Sequence, residues 1–315
     1  MKYIALVVAS LLVIAGCNQS KLPQQGSGGK SVGSQASLER SLPDARRGFK
    51  TKLSRQERDG QPPPMPPKGV FQLVRFDAPV GKLAAYLTPK PPDGGKHPAI
   101  IWITGGDCNS IDDVWSPAPP DNDQTASAYR KAGIVMMFPS LRGGNDNPGV
   151  KESFLGEVDD ILAAADFLAK QEYVDPQRIY LGGHSTGGTL VLLTAACTDR
   201  FRAVFSFGPV EDVRGYGPQY CPFSMNDPQE ADLRSPGLWL HSVKCPTFVF
   251  EGTLQGNIAS LQVMSQNSKN PALHFYPVNG KTHFSLLAPV NRLLAEKVLR
   301  DGGGTTNIKI EANEL

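Results

Sequence analysis

The sequence predicts an α/β fold of three layers, in which a mostly parallel, twisted sheet carries helices on both faces. Continuous apolar runs of strand length recur along the chain, and strands buried on both faces have this pattern. Segments with helical periodicity lie between the runs, an alternation typical of parallel sheets. The runs cover residues 99–104, 134–138, 179–181, 203–207 and 247–250.

The elements around these runs are predicted from their apolar spacing. Two short strands, 71–76 and 82–87, flank a Pro–Val–Gly turn and indicate an antiparallel hairpin. The apolar residues of 158–168 recur at helical spacing on one face. Residues 189–196 are apolar on all sides, which predicts a buried helix.

Residues 1–16 have the pattern of a lipoprotein signal peptide. A short basic start precedes an apolar run of roughly 13 residues, whereas a membrane-spanning helix needs about 20. The run ends in Ile14-Ala15-Gly16-Cys17, which resembles a bacterial lipobox. The resemblance implies that Cys17 carries a lipid. Because no Asp follows Cys17, it also implies an outer-membrane location facing the periplasm.

Residues 17–68 are predicted to form a lipid-anchored, disordered linker. They are rich in Ser, Gly, Gln and basic residues, and then in Pro, and such segments bury too little apolar surface to offset the entropy of ordering. The catalytic domain is therefore expected over residues 69–315.

Charge and cysteine content narrow the function classes. The formal net charge of +2 gives no indication of nucleic-acid binding. No cysteine or histidine cluster has zinc-site spacing, so neither a metal nor another cofactor is expected. Exported chains favour disulfides, and we expect at least one among Cys108, Cys197, Cys221 and Cys245, with Cys221–Cys245 as the preferred pair. The oligomeric state is not predicted.

One motif indicates a nucleophile. The apolar run 179–181 leads into Gly-Gly-His-Ser-Thr-Gly-Gly and then into the buried helix, so Ser185 stands in a GxSxG sequence between a strand and a helix. Such a turn is tight and strained, and it requires small residues at Gly183 and Gly187. It also directs the N–H of Thr186 towards the oxyanion of a reacting carbonyl.

A serine nucleophile needs a base, and three histidines follow the motif. His274 lies in a strand-like run, His241 precedes a strand, and His283 lies in a loop before the last helix, which favours His283. A second oxyanion donor is expected directly after the run 99–104, where Gly106 or Asp107 would supply its backbone N–H.

Several further stretches resemble the hydrolase domain of the prolyl oligopeptidase family and its small esterase relatives. The resemblance implies an α/β-hydrolase fold and a Ser–His–acid mechanism, without implying peptidase activity. Arg142, within the first stretch, is expected to form a structural ion pair with Asp159 or Asp160 rather than to bind substrate. The matching stretches are 133–144, 156–160, 174–178, the serine motif and 199–204.

The chain departs from this family at the acid. Gln255 occupies the usual acid position, and an amide cannot stabilise an imidazolium with a full charge. Glu251, at the end of the run 247–250, is one replacement; Glu211 and Asp212, after the run 203–207, are others. Absence of any acid remains open.

Two functions follow from these residues. The first is a serine hydrolase that forms an acyl-enzyme on Ser185 and acts on carboxylic esters or short peptides in an open pocket, because the segment between the runs 203–207 and 247–250 is too short for a large cap. The second is a catalytically weak or inactive hydrolase fold that serves as an envelope binding or scaffold protein.

Overall fold

A computed structural model describes residues 40–315. The predicted signal peptide, the lipidation of Cys17 and the first part of the predicted linker lie outside these residues. Within the described range, no helix has the length and apolar character required to cross a membrane.

Eight strands form one sheet in the order β1-β2-β4-β3-β5-β6-β7-β8. β1 and β2 form the predicted hairpin, β2 is antiparallel to β4, and all other neighbours run parallel. The sheet confirms the predicted α/β-hydrolase fold class. Its strands are β1 (Gln72–Ala78), β2 (Gly81–Leu87), β3 (His97–Ile103), β4 (Val135–Pro139), β5 (Val174–His184), β6 (Val204–Phe207), β7 (Thr247–Gly252) and β8 (Leu273–Val278).

Helices cover both faces of the sheet. Alternate residues of the central strands point to opposite sides, so that Ile101 packs in one apolar cluster and its neighbour Ile100 in the other. The first cluster includes α3 and α4, and the second includes α2 and α7. The helices are α1 (Leu42–Arg46), α2 (Ser127–Lys131), α3 (Glu157–Ala169), α4 (Thr186–Cys197), α5 (Pro228–Asp232), α6 (Ile258–Asn267) and α7 (Leu287–Arg300).

Residues 40–68 pack on the domain, so the prediction of a disordered linker is wrong for this part. Leu42 is fully buried, and its N–H donates to Ser242 Oγ at 3.2 Å. Arg46 donates to the carbonyl of Leu155 and to Asp159, both at 3.0 Å. Composition indicated disorder because the segment has few apolar residues, whereas its polar groups are satisfied by the domain. We call residues 40–60 the strap.

The disulfide prediction is also wrong for the described residues, since all four cysteines are free. Cys221 Sγ lies 3.8 Å from the carbonyl oxygen of Val213, whereas Cys245 Sγ lies 4.0 Å from that of Thr198. The two thiols of the preferred pair are therefore buried against different segments. Nearness along the chain did not bring them together.

Candidate active site

The strand–turn–helix context predicted for Ser185 is present. β5 ends at His184 and α4 begins at Thr186, with Ser185 between them at φ 56° and ψ −115°. A non-glycine residue at positive φ is strained and persists only where its surroundings hold it. The Ser185 N–H donates to the carbonyl of Phe207 at 2.7 Å, which fixes the turn to the end of β6.

Close backbone contacts explain the glycines on both sides of Ser185. A Cβ on Gly183 would lie 2.6 Å from the carbonyl oxygen of Gly187. A Cβ on Gly187 would lie 2.3 Å from that of Ile103. Both distances are below any normal contact with backbone atoms. The predicted requirement for small residues is therefore confirmed as a steric one.

The residues predicted to supply the oxyanion donors lie next to one another. Thr186 is buried, and its Oγ1 donates to the carbonyl of Gly106 at 2.9 Å, which ties the start of α4 to the loop after β3. Gly106 has φ +76°, a conformation that favours glycine. Within residues 40–315, the N–H groups of Gly106 and Asp107 donate no hydrogen bond. Both remain available to a ligand.

His283 and Glu251 form a buried pair. His283 Nδ1 lies 2.8 Å from Glu251 Oε2, and Glu251 is fully buried. The same carboxylate accepts hydrogen bonds from the N–H of Gly252 at 2.7 Å and from the N–H of Asn257 at 2.9 Å. These bonds fix the carboxylate at the end of β7, facing the loop that carries His283.

Two glycines leave the space that this pair occupies. A Cβ on Gly208, which has φ +61°, would lie 2.4 Å from His283 Cε1. A Cβ on Gly256, which has φ +106°, would lie 2.7 Å from His283 Cβ. Asn257 Nδ2 donates to the carbonyl of Gly208 at 2.8 Å and links the two loops. Sequence reasoning missed these residues, although Gly208, directly after β6, and Gly256, in the loop after β7, were a usable signal.

The other acid candidates lie elsewhere. Asp212 caps a short 3-10 helix by accepting from the N–H of Arg214 at 2.8 Å, and it also pairs with the Arg214 guanidinium. Glu211 contributes its backbone carbonyl to the N–H of Gly237. Gln255 is exposed. Of the three carboxylates considered, the structure brings only Glu251 to His283.

His184, the residue before Ser185, is a further member of the site that sequence reasoning missed. It is fully buried, and its Nε2 donates to the backbone carbonyl of His283 at 2.8 Å. Its Nδ1 therefore accepts from the amide of Gln124, at 3.0 Å. Burial, reinforced by the His283 ring centred 4.5 Å away, lowers the pKa of His184 to about 3. His184 is thus neutral at physiological pH, and a polar residue between the motif glycines was the only signal for it.

Arg142 has the structural role that was expected. Its Nη2 pairs with Asp160 Oδ1 at 2.9 Å, and its Nη1 pairs with Glu152 at 2.7 Å. Asp159, the other predicted partner, binds Arg46 of the strap. The guanidinium is buried and fully engaged.

A cleft of about 260 Å³ opens beside the predicted oxyanion donors. Gly106, Asp107 and Thr186 contribute to its lining, and Lys151 pairs with Asp107 at 2.8 Å. Phe154 and Tyr220 give it aromatic surface. The described part of the chain contains no cluster of three His, Cys, Asp or Glu residues that could hold a metal ion.

Known proteins share both the sequence pattern and the fold. The profile of the prolyl oligopeptidase family matches residues 120–265. Prolyl oligopeptidase A of Amanita bisporigera is 32% identical over 114 residues, which are 34% of this chain and 14% of that protein. The chain thus spans a small part of the relatives that it matches.

Among solved structures, a Mycobacterium tuberculosis puromycin-hydrolyzing peptidase has a TM-score of 0.58 and 20% identity, covering 73% of this chain and 39% of that one. XC6422 from Xanthomonas campestris, described as an α/β serine hydrolase without a lid, has a TM-score of 0.50 and 19% identity, covering 75% and 96%. These likenesses show the fold. Over residues 120–265, the chain therefore carries the sequence pattern of the prolyl oligopeptidase family on an α/β-hydrolase fold.

Proposed function

We propose that this protein is a serine hydrolase that cleaves carboxylic esters or short peptides through an acyl-enzyme on Ser185. The observation that carries the proposal is the 2.8 Å contact between His283 and the buried Glu251. This contact supplies the charged partner that the glutamine at position 255 lacks. The family resemblance and the strained backbone at Ser185 support the same assignment.

In this mechanism, Ser185 Oγ attacks the substrate carbonyl while His283 Nε2 takes its proton, because Nδ1 is engaged by Glu251. Glu251 stabilises the imidazolium that forms. The N–H of Thr186, with that of Gly106 or Asp107, stabilises the oxyanion. His283 then protonates the leaving alcohol or amine, and water attacks the acyl-enzyme with His283 again as base.

The alternative is an inactive hydrolase fold with a binding role. Its support was the glutamine at the usual acid position, and that support is weakened by the carboxylate of Glu251 on the His283 ring. A buried carboxylate with three hydrogen-bond partners, one of them an imidazole, has the arrangement that orients a catalytic base.

An activity-based probe tests the proposal directly. We expect a fluorophosphonate to label the protein at Ser185, and Ser185→Ala to lower the hydrolysis of p-nitrophenyl acetate by about 10³-fold or more. Circular dichroism and thermal unfolding should match the parent, since Ser185→Ala removes only a hydroxyl. Activity within threefold of the parent, or no labelling of the parent, would contradict the assignment.

We also propose that Cys17 carries a lipid that anchors the protein to the outer membrane, facing the periplasm. The lipobox-like sequence before Cys17 supports this. Cys17→Ser should release the protein into the soluble fraction or block its processing. A correctly processed variant that still requires detergent for extraction would contradict the proposal.

A further inference from the structure

The strap joins two loops that border the cleft. Ser54 N–H donates to the carbonyl of Pro222 at 2.7 Å. The carbonyl of Glu57 accepts from the N–H of Lys151 at 3.0 Å, and Glu57 itself lines the cleft. The strap therefore links residues 218–222, which we call the rim segment, to the loop that carries Lys151.

Arg55 is the main contact between the strap and the rim segment. Its guanidinium donates to the carbonyls of Pro218, Gln219 and Cys221 at 2.8–3.0 Å. Its Nε donates to Glu57, so every part of the planar fork is engaged. A glutamine amide carries only two N–H donors, so it cannot serve all four of these acceptors. Arg55 thus supplies three hydrogen bonds to the rim segment, in addition to the two that Ser54 donates to the carbonyl of Pro222.

The rim segment presents Tyr220 to the cleft. Tyr220 is 50% exposed and contacts Tyr216 edge-on, with ring centroids 6.3 Å apart. Tyr216 stacks on Phe154 at 5.3 Å, and its hydroxyl bonds Thr189 of α4 at 2.6 Å. The Tyr220 side chain therefore rests on a fixed aromatic base. Its backbone is held by the bonds from Arg55 to the neighbouring carbonyls, by a bond from Ser153 to its own carbonyl, and by its N–H, which donates to Gly217.

The cleft that results is small. Its volume of about 260 Å³ lies below the ~300–1,000 Å³ of typical ligand pockets. Arg55 and Glu57 neutralise each other, as do Lys151 and Asp107, so the cleft offers no free charge to a substrate. The properties that remain to select substrates are the size of the cleft and its uncharged lining, which includes the rings of Phe154 and Tyr220.

We infer that Arg55 is a positioning residue that limits the substrate to short, uncharged chains by holding Tyr220 at the rim of the cleft. The inference rests on the proposed hydrolase function and adds the substrate class. Without Arg55, the rim segment loses three hydrogen bonds and Tyr220 moves outward. The cleft then admits longer chains, while the turn at Ser185 and the contact between His283 and Glu251 are retained.

The test compares short and long uncharged esters in Arg55→Gln. We expect kcat/KM for p-nitrophenyl octanoate, relative to the acetate, to rise at least fivefold, mainly through a lower KM for octanoate. The kcat for acetate should stay within twofold. Octyl acetate is assayed in parallel to examine the alcohol side of the ester, and the octanoate ratio decides the inference.

Arg47→Gln is the matched control, because Arg47 lies on the same strap, is 78% exposed and pairs with Asp44 rather than with the rim segment. In Arg47→Gln, the ratio of kcat/KM for the octanoate to kcat/KM for the acetate should equal that of the parent. Tyr220→Ala provides a second route that leaves the strap intact and should raise the same ratio; it decides the matter if Arg55→Gln fails to fold.

The outcomes separate the inference from the function on which it rests. If the parent enzyme shows no Ser185-dependent turnover, both the inference and the proposed function are wrong. In an active parent, an unchanged ratio in Tyr220→Ala, or in a folded Arg55→Gln, overturns the inference alone. An equal loss of kcat/KM on short and long esters also overturns the inference alone, because general destabilisation lowers activity without altering the chain-length preference.

Discussion

The turn at Ser185 and the pair of His283 with Glu251 are built in different ways. The turn is set by contacts among close neighbours in sequence and by the adjacent ends of β3 and β6. The pair joins residues 32 positions apart and occupies space that Gly208, on a third loop, leaves open. Backbone contacts at the strand ends therefore fix the turn at Ser185, whereas side-chain packing between loops fixes His283 and Glu251.

The largest expected effect breaks the second region without touching the first. Glu251→Gln keeps the shape and the acceptor for Gly252 N–H but removes the charge beside His283. We expect kcat for p-nitrophenyl acetate to fall about 10³- to 10⁴-fold, the cost of replacing a triad acid by its amide. Fluorophosphonate labelling should slow by a similar factor.

Asp212→Asn is the control for this change, because Asp212 caps a short helix away from His283. Its activity should remain within about threefold of the parent. Strong loss in Asp212→Asn with little loss in Glu251→Gln would place the acid after β6 instead. Gln255→Asp should leave activity nearly unchanged, since position 255 is exposed and Glu251 already contacts His283.

A smaller effect is expected where packing alone is disturbed. In Gly208→Ala, the new Cβ would lie 2.4 Å from His283 Cε1, so the ring must shift. Displacement of a catalytic group by about 1 Å costs on the order of 10²-fold, and we expect kcat/KM to fall by about that factor.

Gly280→Ala separates this clash from backbone strain. Gly280 has φ +69°, close to the +61° of Gly208, and a Cβ there would meet nothing within 4 Å. Both variants should lose about 1–2 kcal/mol of stability from the left-handed backbone. Only Gly208→Ala should lose activity beyond threefold; equal losses would show that strain, rather than the position of His283, is responsible.

The fold was readable from the sequence because buried parallel strands and the helices between them produce distinct apolar patterns. The turn at Ser185 was readable because its steric demands act on adjacent residues. Glu251 was only one of several candidates, since no local pattern shows which carboxylate faces a loop 32 residues away. The side chain reaches His283 because it leaves β7 at its carboxyl end, next to β8.

The strap was missed for a related reason. Composition reports how much apolar surface a segment can bury by itself, and residues 40–68 have little. Arg46, Arg55 and Thr51 nevertheless find partners on a domain that is already folded. Those partners are distant in sequence, so a pattern confined to the segment could not reveal them.

The smallest expected effect concerns His184, which connects the two regions by donating to the backbone carbonyl of His283. Burial lowers the pKa of His184 from 6.5 to about 3, so below pH 6.5 the unfolded chain binds a proton that the native protein excludes. The free energy of unfolding is therefore highest, with respect to this group, above pH 6.5, and it declines as the pH falls towards 3. Between pH 7.5 and 5.5 this decline amounts to about 1.4 kcal/mol.

His184→Gln retains a donor for the His283 carbonyl but cannot titrate, so its free energy of unfolding, measured by urea denaturation, should fall by about 1.4 kcal/mol less than that of the parent over this range. His241→Gln, which removes an exposed imidazole and keeps His184, should retain the loss seen in the parent. Identical pH dependence in the parent and His184→Gln would mean that His184 accepts a proton in the native protein, and the assignment of its Nδ1 as an acceptor from Gln124 would then be wrong.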